Sequence, residues 1–199
     1  EDVAVVVAQI EQRLREGRSP SRHTDEIALQ VAREHPGDRG VLASLLLNPV
    51  TLRPGEAMFV PSGAVHAYVS GLGVEVMASS DNVVRAGMTR KHVDARALLD
   101  IVDVRPAPPI RLAPEHAAQG VEVFYAPVED FELAVISVTG EPVALGSTGP
   151  RIVLAIEGDL ELCLGERTEP LPRGAAFFLS DGDAPLVRGH GRLVRAGVP

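Results

Sequence analysis

Apolar residues recur at helical spacing along the first 47 residues. Three segments follow the i, i+3, i+4, i+7 pattern of an amphipathic helix. The helices are predicted at residues 2–16, from a capping Thr24 to His35, and from a capping Asp38 through a stripe of Val41, Leu42, Leu45 and Leu46. Gly17 stops the first helix and Pro36-Gly37 stops the second. The chain therefore begins with a helical segment.

The hydrophobic pattern changes to alternation after Asn48-Pro49. Short strands are predicted at 50–53, 57–60, 65–69, 73–78 and 82–85, followed by a short helix at 94–101. Prolines at 106, 108 and 109 then form a stiff linker, which we take as a domain boundary.

Beyond the linker, turn signals separate further short apolar runs. Strands are predicted at 121–125, 131–139, 151–157, 160–164, 175–179, 186–187 and 192–195. Gly158-Asp159 is interpreted as a turn between two strands, and His190 as part of a hairpin turn. Many short strands at this spacing are typical of a sandwich or jelly roll. Two segments, starting at Leu52 and Leu171, share one layout and suggest two β-barrels of one type.

Composition excludes several classes of protein. The net charge is -8, and the basic residues are 18 Arg and the single Lys91, without the basic stripe that nucleic acids require. No apolar run approaches the length of a membrane-spanning helix. The one cysteine, Cys163, cannot form a disulfide within the chain, which favours the reducing cytoplasm. Because the chain starts at Glu1 in an apparent helix interior, we expect it to be part of a longer polypeptide.

Residues 61–94 combine both signs of charge within a strand-like pattern. Buried groups of this kind are costly unless they are paired or coordinated, so such clusters tend to mark functional sites. His66 and Tyr68 are two residues apart and would share one face of a strand. His66 has no metal-ligand partner at a standard spacing, so a structural role and a ligand role both stay open. Glu75 lies in an apolar strand, which favours a pocket role.

The second half of this cluster offers anion-binding groups. Arg85 is followed by Ala86-Gly87, whose small size permits close approach of a ligand to the guanidinium. Asp81 could cap a turn, or it could form an ordinary surface pair with Arg85. Lys91, together with His92 and Asp94, could bind phosphate, although a solvated turn also explains the trio.

The order of motifs in this region resembles type I mannose-6-phosphate isomerase. The segment LLLNPVTLRPGEAMFVPSGAVHAYVSG is followed by GVEVMASSDNVVRAGMTRKHVD, and the match runs through roughly residues 36–104. Weaker similarity continues to the C-terminus. The resemblance implies a mainly β fold of cupin (jelly-roll) barrels with an N-terminal helical segment. It divides the chain into a helical segment at 1–47, part of a catalytic cupin barrel at 48–104, and a C-terminal cupin-like domain at 105–199.

The resemblance also implies an activity and a set of site residues. The family interconverts mannose 6-phosphate and fructose 6-phosphate through an enediol, and it uses one zinc ion held by a Gln, two His and a Glu. His66 matches the last zinc ligand, Arg85 matches the active-site arginine, and three further residues match the substrate pocket: Glu75, Asp81 and Lys91. A cytoplasmic enzyme acting on a small sugar phosphate, without nucleic acid or membrane partners, is expected.

Two departures from the family pattern qualify this expectation. Arg90 stands where the family usually has Pro, and the motifs that supply the other three zinc ligands are not in this sequence. One ligand cannot hold a catalytic zinc. We therefore expect the C-terminal portion of an isomerase that is inactive without its N-terminal half. The alternative is a non-catalytic sugar-binding or regulatory cupin module.

Overall fold

The computed structural model describes residues 2–80 and 83–198. The chain forms two compact units. The first contains the residues up to Gly73 together with Ser80–Ile110, and the second contains Val74–Ser79 and the residues from Arg111 onward. The division after Ile110 lies just beyond the proline linker.

Among the described residues of the first unit, four helices follow from local sequence signals. They are α1 (Val3–Arg15), α2 (Arg22–Glu34), α3 (Gly40–Ser44) and α4 (Ala95–Ile101). The carboxylate of Asp94 caps α4 by accepting from the backbone amides of Arg96 and Ala97, both at 3.0 Å. The prediction that Thr24 caps the second helix is wrong, because α2 begins two residues earlier, after an N-cap Ser21.

The helical core of the first unit is small. Val3, Val31 and Val41 are buried together, and Met88 packs against them from a loop far along the chain. The predicted stripe of the third helix is only partly correct, because α3 ends at Ser44 and Leu46 is 88% exposed. Gly40 at the start of α3 lies against Met88, since a Cβ there would stand 2.8 Å from Met88 Cγ.

Most strands predicted between residues 48 and 85 are wrong as regular strands. In this region the described residues contain one strand, β1 (Ala57–Phe59), which pairs with β2 (Ile110–Leu112). The described parts of 50–53, 65–69, 73–78 and 82–85 have no strand assignment. Alternation specifies which face a residue would take, but a strand also needs a neighbour with which to exchange backbone hydrogen bonds.

The second unit is an antiparallel β structure. Its strands are β3 (Glu115–Ala118), β4 (Val121–Tyr125), β5 (Glu132–Thr139), β6 (Val143–Ala144), β7 (Arg151–Leu164), β8 (Arg167–Pro172), β9 (Ala176–Leu179) and β10 (Leu186–Gly197). They follow the order β3-β4-β5-β10-β7-β8, with β6 also on β10 and β9 also on β7. Alternate residues of β5, β7 and β10 point into one core that includes Ile136, Val153 and Leu193.

Two predicted breaks in the second unit are wrong. Gly158-Asp159 does not form a turn, because β7 runs without interruption from Arg151 to Leu164. His190 does not lie in a hairpin turn either, since it sits inside β10 and pairs with Thr139 on one side and Asp159 on the other. Where β7 pairs with β10, Gly158 lies opposite Gly191 and the two backbones approach closely. None of the described helices has the length and apolar character needed to cross a bilayer.

Candidate functional site

His66 follows a turn that is fixed by the end of α4. The backbone amide of Asp103 donates to the carbonyl of Gly63 at 2.9 Å, and Ala64 N donates to Pro61 O at 3.2 Å. Gly63 has φ +80°, and a Cβ there would lie 2.8 Å from the carbonyl oxygen of Ile101. Only glycine fits this conformation and this close approach. The turn that carries His66 is therefore attached to the residues that follow α4.

The imidazole of His66 is exposed and oriented by two contacts. Its Nδ1 lies 3.0 Å from the carbonyl oxygen of Ala64, and its ring meets Tyr68 edge to face, with centroids 6.3 Å apart and planes at 83°. When Nδ1–H donates to that carbonyl, Nε2 keeps the lone pair that a metal ion would use. The predicted proximity of His66 and Tyr68 is thus present, although residues 65–69 form no regular strand.

The described residues do not by themselves fit a zinc site. Zinc in proteins takes three or four His, Cys, Asp or Glu ligands. Within the described ranges, no group of three or more such side chains is arranged to hold a metal ion. His66 fits the geometry of a single ligand and no more.

Arg85 and Lys91 lie on one exposed loop that is tied to the helices through Asp38. One carboxylate oxygen of Asp38 accepts from the amide of Gly40 at 2.7 Å, and the other accepts from the amide of Met88 at 2.9 Å. Each hydrogen bond to a charged acceptor stabilises the folded state by about 1.5–3 kcal/mol. The N-cap position of α3 is Arg39, so the prediction that Asp38 caps this helix is wrong by one residue. The Asp38 carboxylate instead joins the start of α3 to the loop that carries Arg85 and Lys91.

Met88 is the second anchor of this loop. It has φ +51°, the left-handed region that non-glycine residues seldom adopt, and its side chain is packed into the helical core. The burial and the bond to Asp38 compensate the backbone strain. Nothing in the local sequence indicates this anchor, because Asp38 and Met88 are 50 positions apart.

The trio of Lys91, His92 and Asp94 separates into different roles. The carboxylate of Asp94 is used as the cap of α4. The backbone amide of Lys91 donates to the hydroxyl of Thr89 at 3.1 Å, while the Lys91 side chain is exposed. Lys91 and His92 are both exposed, and the permanently charged ammonium of Lys91 is the group of the trio that we assign to an anion.

Glu75 and Asp81 complete the predicted residues. Glu75 is exposed, so the expectation of a carboxylate buried in an apolar strand is wrong. It belongs to Val74–Ser79, which groups with the second unit, whereas His66, Arg85 and Lys91 belong to the first. Asp81 lies outside the described residues. The pocket roles of both residues stay predictions.

Comparison with known proteins identifies a consistent set of relatives. No protein-family model matches the chain. The mannose-6-phosphate isomerase of Escherichia coli (strain K12) is 38% identical over 163 residues, which are 81% of this chain and 42% of that protein. The mannose-6-phosphate isomerase of Rattus norvegicus is 34% identical over 197 residues, 94% of this chain and 47% of that protein. The chain thus spans somewhat less than half of these curated relatives.

Solved structures agree with the sequence relatives. A crystal structure of a phosphomannose isomerase variant from Salmonella typhimurium has a TM-score of 0.77 and 31% identity, covering 96% of this chain and 49% of that one. A second variant of the same protein gives a TM-score of 0.78 with 30% identity. These structures are of the cupin type, so the predicted mainly β cupin fold with an N-terminal helical segment is confirmed. The predicted resemblance to the C-terminal portion of these isomerases is confirmed as well.

Proposed function

We propose that this chain, which is similar over most of its length to the C-terminal portion of mannose-6-phosphate isomerases, forms part of such an active site. The complete enzyme would interconvert mannose 6-phosphate and fructose 6-phosphate. In this reaction a proton moves between C2 and C1 of the open-chain sugar through an enediol. The negative charge that develops on oxygen needs a nearby cation.

The observation that carries the proposal is the shared scaffold of the His66 turn and the Arg85–Lys91 loop. The loop leads directly into α4 at Asp94, and the residue Asp103 just after α4 holds the turn that precedes His66. The helix spans seven residues, or roughly 10 Å at 1.5 Å per residue. Side chains with different tasks are thereby attached to the two ends of one helix, which supports the holding of both groups at a defined separation.

Arg85 and Lys91, two of the cations on the loop, suit different parts of a sugar phosphate. The guanidinium of Arg85 is planar and permanently charged, so it suits the enediolate oxygen that forms during proton transfer. The ammonium of Lys91 is a compact point charge suited to the phosphate. We assign Glu75 and Asp81 to substrate binding on the resemblance alone.

We also propose that His66 is one zinc ligand in the complete enzyme, with the other ligands supplied by the portion of the isomerase that this chain does not span. The orientation of the ring by Ala64 and Tyr68 supports the assignment. The chain alone is then expected to bind zinc weakly and to be inactive. A cytoplasmic location agrees with the reduced, buried Cys163.

The decisive experiment is turnover of mannose 6-phosphate by the complete isomerase polypeptide carrying Arg85→Ala. Loss of oxyanion stabilisation should lower kcat by about 100-fold or more while KM changes little. Arg90→Ala is the matched control, because Arg90 is exposed on the same loop and stands where the family usually has Pro. Equal kinetic effects of the two substitutions would refute the role of Arg85.

Two further variants separate binding of metal from binding of substrate. Lys91→Ala should raise KM by about tenfold and leave the zinc content unchanged, whereas His66→Ala should lower the zinc content and kcat together. A complete polypeptide that binds sugar phosphate but shows no turnover at any zinc concentration would favour the alternative, a non-catalytic sugar-binding cupin module.

A further inference from the structure

The second unit contains a cavity with two arginines in its wall. Its volume is about 190 Å³, and it is lined by the 145–148 segment, the first residue of β7 and the end of β10. Arg151 and Arg195 are its cations and Glu132 is its only carboxylate among the described lining residues. These three charged side chains have a net charge of +1, although the whole chain is acidic at -8.

Arg151 is a buried cation that is held by neutral groups. It is 4% exposed, and Nη1 donates to the carbonyls of Thr148, at 2.8 Å, and Gly149, while Nη2 donates to those of Gly146 and Asp183 at 3.2 and 2.6 Å. The side-chain carboxylates of Asp181 and Asp183 instead accept from the backbone amides of Gly149 and Ser180. Carbonyl dipoles orient the guanidinium but do not neutralise it, and a buried charge without a counter-charge is costly.

Arg195 is paired with one carboxylate, that of Glu132, which also lines the cavity. Its Nη2 lies 2.7 Å from Glu132 Oε1, and its Nη1 donates to the carbonyl of Leu145 at 2.8 Å. Both side chains of this pair are about 15% exposed or less. Within the described part of the chain, the buried Nε–H groups of Arg151 and Arg195 have no acceptor. A buried donor without an acceptor costs about 1–3 kcal/mol.

We propose that this cavity binds a phosphate group. One carboxylate does not balance the charge of two guanidinium groups, so a ligand carrying about -1.5 to -2 charges would be attracted to this cavity. Arginine is well suited to phosphate oxygens, and Ser147 and Thr148 add hydroxyl-bearing residues to the same wall. All lining residues belong to the second unit, so this site is separate from the His66–Lys91 region and does not depend on the proposed isomerase function.

The test titrates the 199-residue chain with inorganic phosphate while sodium chloride keeps the ionic strength constant. The thermal midpoint and the ³¹P NMR line width report binding, and both should change saturably. Glu132→Gln keeps the hydrogen-bond acceptor for Arg195 but removes the competing negative charge, so it should bind phosphate about tenfold more tightly. Arg195→Gln should bind at least about tenfold more weakly. Arg151 is left intact because its four carbonyl contacts hold the surrounding loops.

Arg192→Gln is the matched control. Arg192 lies on the same strand β10 and likewise pairs with a glutamate of a neighbouring strand, with its Nε 2.7 Å from Glu157 Oε2, but it is outside the cavity. Its phosphate affinity should equal that of the unaltered chain. Repeating the titration with fructose 6-phosphate distinguishes two sources of the phosphate group. If the site is for a phosphorylated sugar, fructose 6-phosphate should bind more tightly than inorganic phosphate.

A different result would overturn the proposal. Phosphate also stabilises proteins by exclusion from their surface, and that effect rises steadily without saturation. A linear response of equal slope in all four proteins, with unchanged ³¹P line widths, would show that Arg151 and Arg195 only brace the loops. Saturable binding that Glu132→Gln and Arg195→Gln leave unchanged would place the phosphate elsewhere and also reject the site.

Discussion

At the scale of single residues, Asp25 offers the sharpest test of the helical unit. It is 1% exposed in α2, and its carboxylate accepts from Arg13 Nε and Ser19 Oγ, each at 2.7 Å, with a further contact to Arg13 Nη2. Asp25→Ala removes the charge that joins α1 to α2. Because Arg13 is 35% exposed and can be hydrated, we expect a loss of about 1–3 kcal/mol in the free energy of unfolding, measured in urea.

Glu26→Ala is the control for this substitution. Glu26 is the next residue, and its pair with Arg22 joins two side chains that are 50% and 83% exposed. Such surface pairs contribute about 0.2–1 kcal/mol, so the control should change stability by less than half as much as Asp25→Ala. Equal losses would show that helix propensity, and not the buried pair, determines the result.

Asp25 also predicts a pH dependence of stability. The hydrogen bond from Arg13 outweighs the opposing effect of burial and lowers the pKa of Asp25 below its usual value. Since the folded pKa lies below the unfolded value of about 3.9, this stability is fully present at higher pH and is lost as the pH falls through the folded pKa. In urea titrations between pH 6 and 2, the difference between the chain and Asp25→Asn should therefore shrink below about pH 4.

Added salt distinguishes the pH dependence caused by Asp25 from a similar pH dependence caused by the exposed Asp103. Arg105 lowers the pKa of Asp103 to about 2, but both residues lie in solvent, where added salt weakens their attraction. The pH effect of Asp25 should survive high salt. An acid transition in which Asp25→Asn behaves like the unaltered chain would assign it to other carboxylates.

Sequence predicts contacts between residues that are close along the chain. The spacing of His66 and Tyr68 indicates neighbouring rings, which the structure contains. The bonds of Asp38 to Gly40 and of Asp94 to Ala97 are equally local, although the sequence pattern suggests a phosphate site for Asp94 and the N-cap of α3 is Arg39. Glu75 was misjudged because apolar neighbours do not establish burial. The bond from Met88 to Asp38 has no local signal, although it fixes the loop that carries the predicted cations.

At the scale of elements, the pairing of β7 with β10 depends on glycine. Gly158 has φ +80°, and a Cβ there would lie 2.1 Å from the carbonyl oxygen of His190 and 2.6 Å from Gly191 Cα. Both obstacles are backbone atoms, so neither can rotate away. We expect Gly158→Ala to lower the free energy of unfolding by more than about 3 kcal/mol and to accelerate hydrogen exchange in the two strands.

Gly165→Ala is the control that distinguishes the energetic cost of backbone strain from the cost of a steric clash. Gly165 also has a left-handed φ, +60°, but a Cβ there would meet no atom within 4 Å. Its substitution should cost about 1–2 kcal/mol, from strain alone. If the two alanine variants were equally stable, the close approach at Gly158 would not contribute to the fold.

The accuracy of the predicted elements follows from the range of the interactions that form them. Helices α1, α2 and α4 follow from residue spacing, which is a local signal. Strand β8 was missed because Pro170 and Pro172 argue against a strand, but at the edge of the sheet a residue that cannot donate is tolerated. The continuity of β7 through Gly158 depends on Gly191 in β10, which local turn rules do not include.

At the scale of the whole molecule, the motifs from His66 to Lys91 indicated the related family, and the relatives confirmed that resemblance. The sequence shows where each predicted site residue lies in the family motif, but it does not show whether its side chain is buried or which groups surround it. The structure divides the chain after Ile110 and groups the segment containing Glu75 with the second unit. Such grouping depends on contacts across long stretches of chain, for which residue spacing carries no information.

The two units differ in core size, which predicts unequal resistance to unfolding. Among the described residues, the main helical core has three buried apolar side chains and the β core has fourteen. Because buried apolar area is the principal stabilising contribution, we expect amides in α1 and α2 to exchange hydrogen at lower urea concentrations than those in β5 and β10.

A matched pair of core substitutions tests whether the two units unfold separately. Val41→Ala and Val138→Ala remove the same groups from sites that are 0% and 2% exposed, and each should lower the free energy of unfolding by about 1–3 kcal/mol. Each loss should accelerate exchange within its own unit, as followed by mass spectrometry; acceleration in both units by either variant would show that the chain unfolds as one cooperative body.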